Sequence, residues 1–161
     1  MDTVCVRLVD QINAESALRK LVFEVTGTDR VQIDHHCGRC GSQTHGRPVL
    51  RGGGAWLSLA RAGGYALVGI CAVRQVGVDL ELADSVSVAD LAAADIRASK
   101  SHSPTTSWVH AEAVGKAFGT GLVGTNERQD VTVVDLDLAP GLIAAIAVAG
   151  FGPVDIQVSS S

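Results

Sequence analysis

Apolar and polar positions alternate over residues 2–9, with Val4, Val6 and Leu8 on one face, which predicts a short strand. Ala17, Leu18, Leu21, Val22 and Val25 recur at helical spacing and predict an amphipathic helix over 14–25, ended by Gly27. Val31 and Ile33 suggest a brief strand. Trp56, Ser58 and Leu59 begin another, and Gly63-Gly64 turns it back as a hairpin into the apolar run 65–73. Residues 77–81, Gly-Val-Asp-Leu-Glu, extend from that run. In an extended chain Asp79 and Glu81 leave one face, while Val76, Val78 and Leu80 leave the other and enter a core.

The second half changes character. Residues 86–96 read as a helix with Val88, Leu91, Ala92 and Ile96 inward, and 99–107, rich in Ser and Thr around Pro104, as a mobile loop. Ser107 is the expected cap of a helix from Trp108 to about Phe118, stopped by Gly119-Thr120-Gly121. Residues 131–138 and 143–148 read as strands about Pro140-Gly141. The tail from Phe151 reads as an extended piece with residues 159–161 frayed. Gly119, Gly121 and Gly124 spell G-x-G-x-x-G, but a dinucleotide fingerprint follows a strand and opens a helix, and this one follows a helix.

An apolar content of 47% in 161 residues predicts a globular chain with one core or two small halves around a continuous one. No run of 18 apolar residues occurs, so no membrane span is expected. The start lacks a basic segment followed by an apolar one, so no signal peptide is expected and the cytoplasm is the default compartment. The net charge of −4 argues against nucleic-acid binding. Its distribution is uneven. Residues 35–78 hold no Asp or Glu but five arginines, Arg39, Arg47, Arg51, Arg61 and Arg74, which leaves 8 Lys and Arg against 17 acids elsewhere. A basic half beside an acidic half suits a small polyanion held on arginines and a metal held on carboxylates. Chance clustering on a solvated surface is the competing explanation.

Glu112 and Lys116 lie one turn apart and share a helix face. Converging with Asp79 and Glu81 they would form a hard oxygen site for Mg²⁺ beside a phosphate-bearing ligand. The plainer alternative is a solvated strand face and an ordinary Glu–Lys helix pair. Cys37 and Cys40 have C-x-x-C spacing, with His35, His36 and His45 nearby. A single C-x-x-C supplies two of the four ligands that zinc needs, so a surface turn with reduced thiols is expected ahead of a zinc site.

The segments 37–50, 58–62, 76–81 and 108–122 together resemble the Sfp-type 4′-phosphopantetheinyl transferases, in the right order and over residues 14–149. The matching stretches are His45-Gly46-Arg47-Pro48, Val76-Gly77-Val78-Asp79-Leu80-Glu81, and Trp108 followed by Glu112-Ala113, Lys116 and Gly119-Thr120-Gly121-Leu122. The resemblance implies an α+β fold of two pseudo-symmetric α/β halves with antiparallel sheets, residues 1–82 and 83–161, and the site between them. It implies transfer of the phosphopantetheine arm of coenzyme A to a serine of an apo acyl or peptidyl carrier protein. Asp79, Glu81 and Glu112 would hold Mg²⁺, Arg47 and Arg61 would bind coenzyme A, and Glu112 and Lys116 would act at the reacting phosphate. The family's S-H-S is here Ala60-Arg61-Ala62, its lysine before the helix glutamate is Ala111, and its upstream glutamate is missing, with Asp90 or Asp95 the only stand-ins. These departures motivate an alternative, a non-catalytic relative that binds coenzyme A or a carrier protein. A zinc-containing interaction module on Cys37, Cys40 and the histidines is the third.

Overall fold

The computed structural model describes residues 1–128 and 130–160. The fold is α+β. In chain order it contains β1 (Asp2–Asp10), α1 (Ala14–Thr26), β2 (Ile33–His36), β3 (Arg47–Leu50), β4 (Trp56–Ala62), β5 (Tyr65–Cys71) and β6 (Val76–Leu82). Then come α2 (Val88–Ala93), α3 (Pro104–Phe118), β7 (Val131–Leu136), β8 (Leu142–Ala149) and β9 (Val154–Ser160). A six-stranded sheet has the order β2-β3-β4-β5-β1-β9, and a three-stranded sheet the order β6-β8-β7. The small sheet is antiparallel throughout. The large one is mixed, because β9 joins β1 in parallel. No helix among the described residues is long and apolar enough to cross a membrane.

Strand alternation sorts the side chains into layers. Leu57, Ala66, Val68 and Ile70 leave one face of the large sheet and bury Leu18, Leu21 and Val22 of α1. Val4, Val6, Ala60 and Leu67 leave the other face and meet Val76, Val78, Leu80, Ile146 and Val148 of the small sheet. The far face of the small sheet carries Ala147, against which Ala113 and Ala117 of α3 pack. The order of layers is therefore α1, large sheet, small sheet, α3. Among the described residues one hydrogen bond crosses between the sheets. β6 is an edge strand, and its Val78 N–H donates to the buried Ser58 Oγ of β4 at 2.9 Å.

The division expected at residue 82 does not coincide with the sheets. β6, placed with the first half, pairs with β8, and β9, placed with the second, pairs with β1. The reason is that β6 has no antiparallel partner in the large sheet, whereas β9 completes the open edge of β1. Ser159 pairs with Arg7 and is not frayed; Ser161 lies outside the described residues.

Two helix boundaries also differ from expectation. α3 begins at Pro104, not Trp108, and its cap is Ser103, whose Oγ accepts from Thr106 N–H at 3.0 Å. Proline suits the first helical position because the N–H it lacks would have no helical partner there. The Thr and Ser content of 105–107 pointed to loop, yet Thr105 and Ser107 are buried in the first turns. α2 stops at Ala93, short of Ile96, and Asp95 takes a left-handed φ of 54°.

Candidate functional site

The site is built on the α3 side of β6. Gly77, Asp79 and Glu81 share that face, since Val76, Val78 and Leu80 are committed to the core between the sheets. The helix comes unusually close. A Cβ at Gly77 would lie 2.0 Å from the Ala113 carbonyl oxygen and 2.3 Å from Ala117 N, so only glycine lets α3 settle there. Ala145, paired with Asp79 across the ladder, and Ala147 keep the same face shallow. The close approach buries Asp79 to 5% exposure, so its carboxylate is not part of a solvated strand face.

The consequence is electrostatic. Burial pushes the Asp79 carboxyl up to about 6, against the opposing pull of the Lys116 charge and hydrogen bond. The charges of Glu112 and Glu81 raise it further. Lys116 Nζ donates to Asp79 Oδ1 at 2.5 Å. Asp79 Oδ2 is buried with no hydrogen-bond partner. Glu81 is half-buried, and burial raises its carboxyl too, with Lys116 lowering it and Glu112 raising it. The structure thus brings Asp79, Glu81, Glu112 and Lys116 into one neighbourhood. The oxygens of the three acids do not gather within 4.8 Å of one another; the ammonium of Lys116 compensates their charge.

Arg47 opens β3 and stands at the carboxyl end of α3. Its Nη1 lies 3.9 Å from where a Cβ on Gly119 would be, and Gly119 is the left-handed cap of the helix at φ 70°. The guanidinium covers the Trp56 ring at 4.9 Å from the centroid. Nη2 is buried without a partner, and burial pulls the arginine pKa down from its ordinary value. The carboxyl end of a helix dipole favours a cation at this place. Among the described residues, Arg47 Nη2 and Asp79 Oδ2 are the buried side-chain atoms that lack a partner. Most buried polar atoms are satisfied, so each of these two orphans calls for an explanation of its own.

Arg61 does not join them. In β4 it pairs with Ala66 and shares the face of Leu57, which packs on α1. Ala60, one residue away, faces the small sheet instead. Period-two alternation puts Arg61 on the opposite side of the large sheet from Asp79, so its expected role beside Arg47 is corrected. Asp90 is occupied as well: its carboxylate accepts from Ser87 N–H at 2.8 Å and completes the capping box of α2. Ala111 is buried with Leu91 and Ile96 at the α2–α3 contact. Spacing marks Trp56 and Ser58 as the start of a strand, and the resemblance adds only that Ser58 opens the segment 58–62. Their roles under Arg47 and between the sheets depend on the register Val49↔Trp56, which no local signal reveals.

The glycine run after α3 is a helix stop. Gly119 N–H and Thr120 N–H both donate to the Gly115 carbonyl, and a Cβ on Gly115 would lie 2.0 Å from the Gly121 oxygen. A cavity of about 420 Å³ opens on another side of α3, bounded by His102, His110, Asn126 and Arg128, and none of the three acids lines it. Cys37 is half-buried and Cys40 exposed, both as free thiols in the loop between β2 and β3. No protein-family model matches this chain, and no curated protein matches it.

Proposed function

We propose that the chain binds coenzyme A with Mg²⁺ and transfers its 4′-phosphopantetheine arm to a serine of an apo acyl or peptidyl carrier protein, on a fold of the phosphopantetheinyl transferase kind. The observation that carries this reading is the orphaned Asp79 Oδ2, buried beside two further carboxylates and a lysine. Carboxylate oxygens are the donors that Mg²⁺ prefers, and a buried unpartnered one fits that ion. Asp79, Glu81 and Glu112 would hold it. The ion supplies charge neutralisation at the pyrophosphate of coenzyme A.

The chain's own residues do the rest. Arg47, rigid on Trp56, offers an unpaired N–H to a phosphate of the adenosine portion. Lys116, which donates to the Asp79 carboxylate at 2.5 Å, would stabilise charge on the reacting phosphate. In the reaction the serine oxygen bonds to the phosphorus next to the pantetheine arm. The bond from that phosphorus to the oxygen of 3′,5′-adenosine bisphosphate breaks, and the bisphosphate leaves with the electron pair. Glu112, half-buried and close enough to act on both Asp79 and Glu81, is the acceptor for the serine proton.

Two observations favour a second reading, a non-catalytic relative that binds coenzyme A or the carrier. Ala111 is buried against α2 where the family has a lysine, and the Asp90 carboxylate is taken up by the capping box. The test is incubation with coenzyme A, Mg²⁺ and a panel of apo carrier proteins, followed by intact mass. Transfer is expected, slower by about a hundredfold to ten-thousandfold than with a full set of acid–base groups. No modified carrier above the Asp79→Ala background, with coenzyme A still bound, replaces the first reading with the second.

A further inference from the structure

The loop between β2 and β3 is folded more tightly than a surface turn with free thiols requires. Gly41 N–H donates to the Cys37 carbonyl at 2.8 Å, and Cys37 N–H to the Ser42 carbonyl at 2.9 Å. Gly41, directly after the second cysteine, is left-handed at φ 71°. The backbone N–H groups of Cys40 and Arg39 both point at the Cys37 sulfur. A C-x-x-C turn that aims backbone N–H groups at its first sulfur stabilises a thiolate ready to bind a metal.

The third donor arrives from the other end of the loop. Gly46 has φ 102°, and a Cβ there would lie 2.5 Å from the His36 carbonyl oxygen and 2.7 Å from Cys37 N. The glycine therefore lets the chain press against residues 36 and 37, and it carries His45 back over the cysteines. His45 Nε2 lies 3.4 Å from Cys40 Sγ. The donor atoms of Cys37, Cys40 and His45 all fall within 4.8 Å of one another. With Zn–S near 2.3 Å and Zn–N near 2.0 Å, neighbouring donors of a tetrahedral zinc stand about 3.5 to 3.8 Å apart. Among the described residues no other set of His, Cys, Asp or Glu side chains gathers this closely.

We propose that Cys37, Cys40 and His45 bind one Zn²⁺, with water in the fourth position. Soft sulfur and imidazole select zinc over Mg²⁺, so this centre is chemically separate from the carboxylates. Binding converts two thiols to thiolates and releases their protons; with a neutral imidazole the complex carries no net charge. Its place in the fold gives it a structural task. A Cβ on Gly38 would lie 3.3 Å from the Gly119 carbonyl oxygen, so the loop rests on the carboxyl end of α3, and Arg47 follows it directly. Zinc pins the segment that delivers Arg47. The proposal does not depend on the transferase reading.

The test uses the full chain, reduced and freed of metal by a chelator. It is titrated with Zn²⁺ against a chromophoric competitor and separately with Co²⁺. The expected result is about one zinc per chain with release of about two protons near neutral pH, and a Co²⁺ spectrum with thiolate charge-transfer and strong tetrahedral d–d bands. Cys40→Ser and His45→Ala should weaken zinc binding by more than about a hundredfold, while His35→Ala and His36→Ala bind as wild type. Circular dichroism checks that each variant is folded, and the wild-type cobalt spectrum stands without them. A Cys37–Cys40 disulfide that forms in preference to zinc overturns the proposal. So does a weak octahedral cobalt spectrum, or undiminished zinc affinity in Cys40→Ser.

Discussion

Lys116 Nζ lies 2.5 Å from one oxygen of Asp79, and the other oxygen of that buried carboxylate has no partner at all. The pair is half satisfied, and its energetics are open to titration. Burial holds the Asp79 carboxyl up to about 6 in the folded chain, above its place of about 3.9 in the unfolded one. Between those values the folded state binds more protons than the unfolded state, so stability falls as pH rises through the window from about 4 to about 6. The cost persists above it and is of order 2 to 3 kcal/mol.

Asp79→Asn should therefore remove that pH dependence and raise the melting midpoint near neutral pH, even though Lys116 loses its partner. The lysine side chain is 31% exposed and can turn to water. Mg²⁺ should raise the midpoint of wild type near neutral pH and leave Asp79→Asn unmoved. Denaturant unfolding across the pH range, with and without Mg²⁺, measures both effects. A wild type that gains stability relative to the variant as pH rises through the window refutes the burial account.

Lys116→Met should push the Asp79 carboxyl further up, because the lysine charge and hydrogen bond are the two influences that hold it down. Carrier modification should slow by about 10² to 10³, with coenzyme A affinity changed much less. Lys116→Arg should not rescue, since a planar guanidinium does not replace the compact point charge that reaches the buried Asp79 carboxylate. Rates by intact mass and affinity by calorimetry separate the two parameters.

Arg47→Ala should weaken coenzyme A binding by roughly 10- to 100-fold, the usual cost of a lost charged hydrogen bond. Arg47→Lys should recover only part, because it gives up the stacking on Trp56. Arg61→Ala should bind as wild type, since Arg61 lies on the α1 face of the large sheet. Calorimetry on the three variants decides; a loss in Arg61→Ala equal to that in Arg47→Ala contradicts the geometry.

Gly77→Ala should destabilise the fold by about 3 kcal/mol or more, because its methyl meets the backbone of α3 and not a yielding side chain. Ser58→Ala should cost about 1 to 3 kcal/mol by orphaning the buried Val78 N–H. Urea midpoints give both, and Gly77→Ala should also abolish any Mg²⁺-dependent stabilisation because the helix carrying Glu112 and Lys116 is lifted.

By itself the sequence determined most of the elements and the faces of β6. Periods of two and 3.6 are local, so α1, the β4–β5 hairpin, and the separation of Asp79 and Glu81 from Val76, Val78 and Leu80 follow from spacing alone. The same holds for Glu112 and Lys116 sharing one turn. What covers a face is not local. Only the packing of α3 against Gly77, Ala145 and Ala147 turned the Asp79 carboxylate from a solvated group into a buried one with a raised pKa. Only the pairing of β2 with β3, and of β3 with β4, set Arg47 on Trp56 at the end of α3 and brought His45 onto Cys40. Arg61 shows the limit most plainly: the basic segment supplied five arginines, but strand alternation and register decided that Arg61 lies on the α1 face of the large sheet. Pairing partners and layer order come from burying apolar area shared by segments far apart in the chain, and no window of residues carries that quantity.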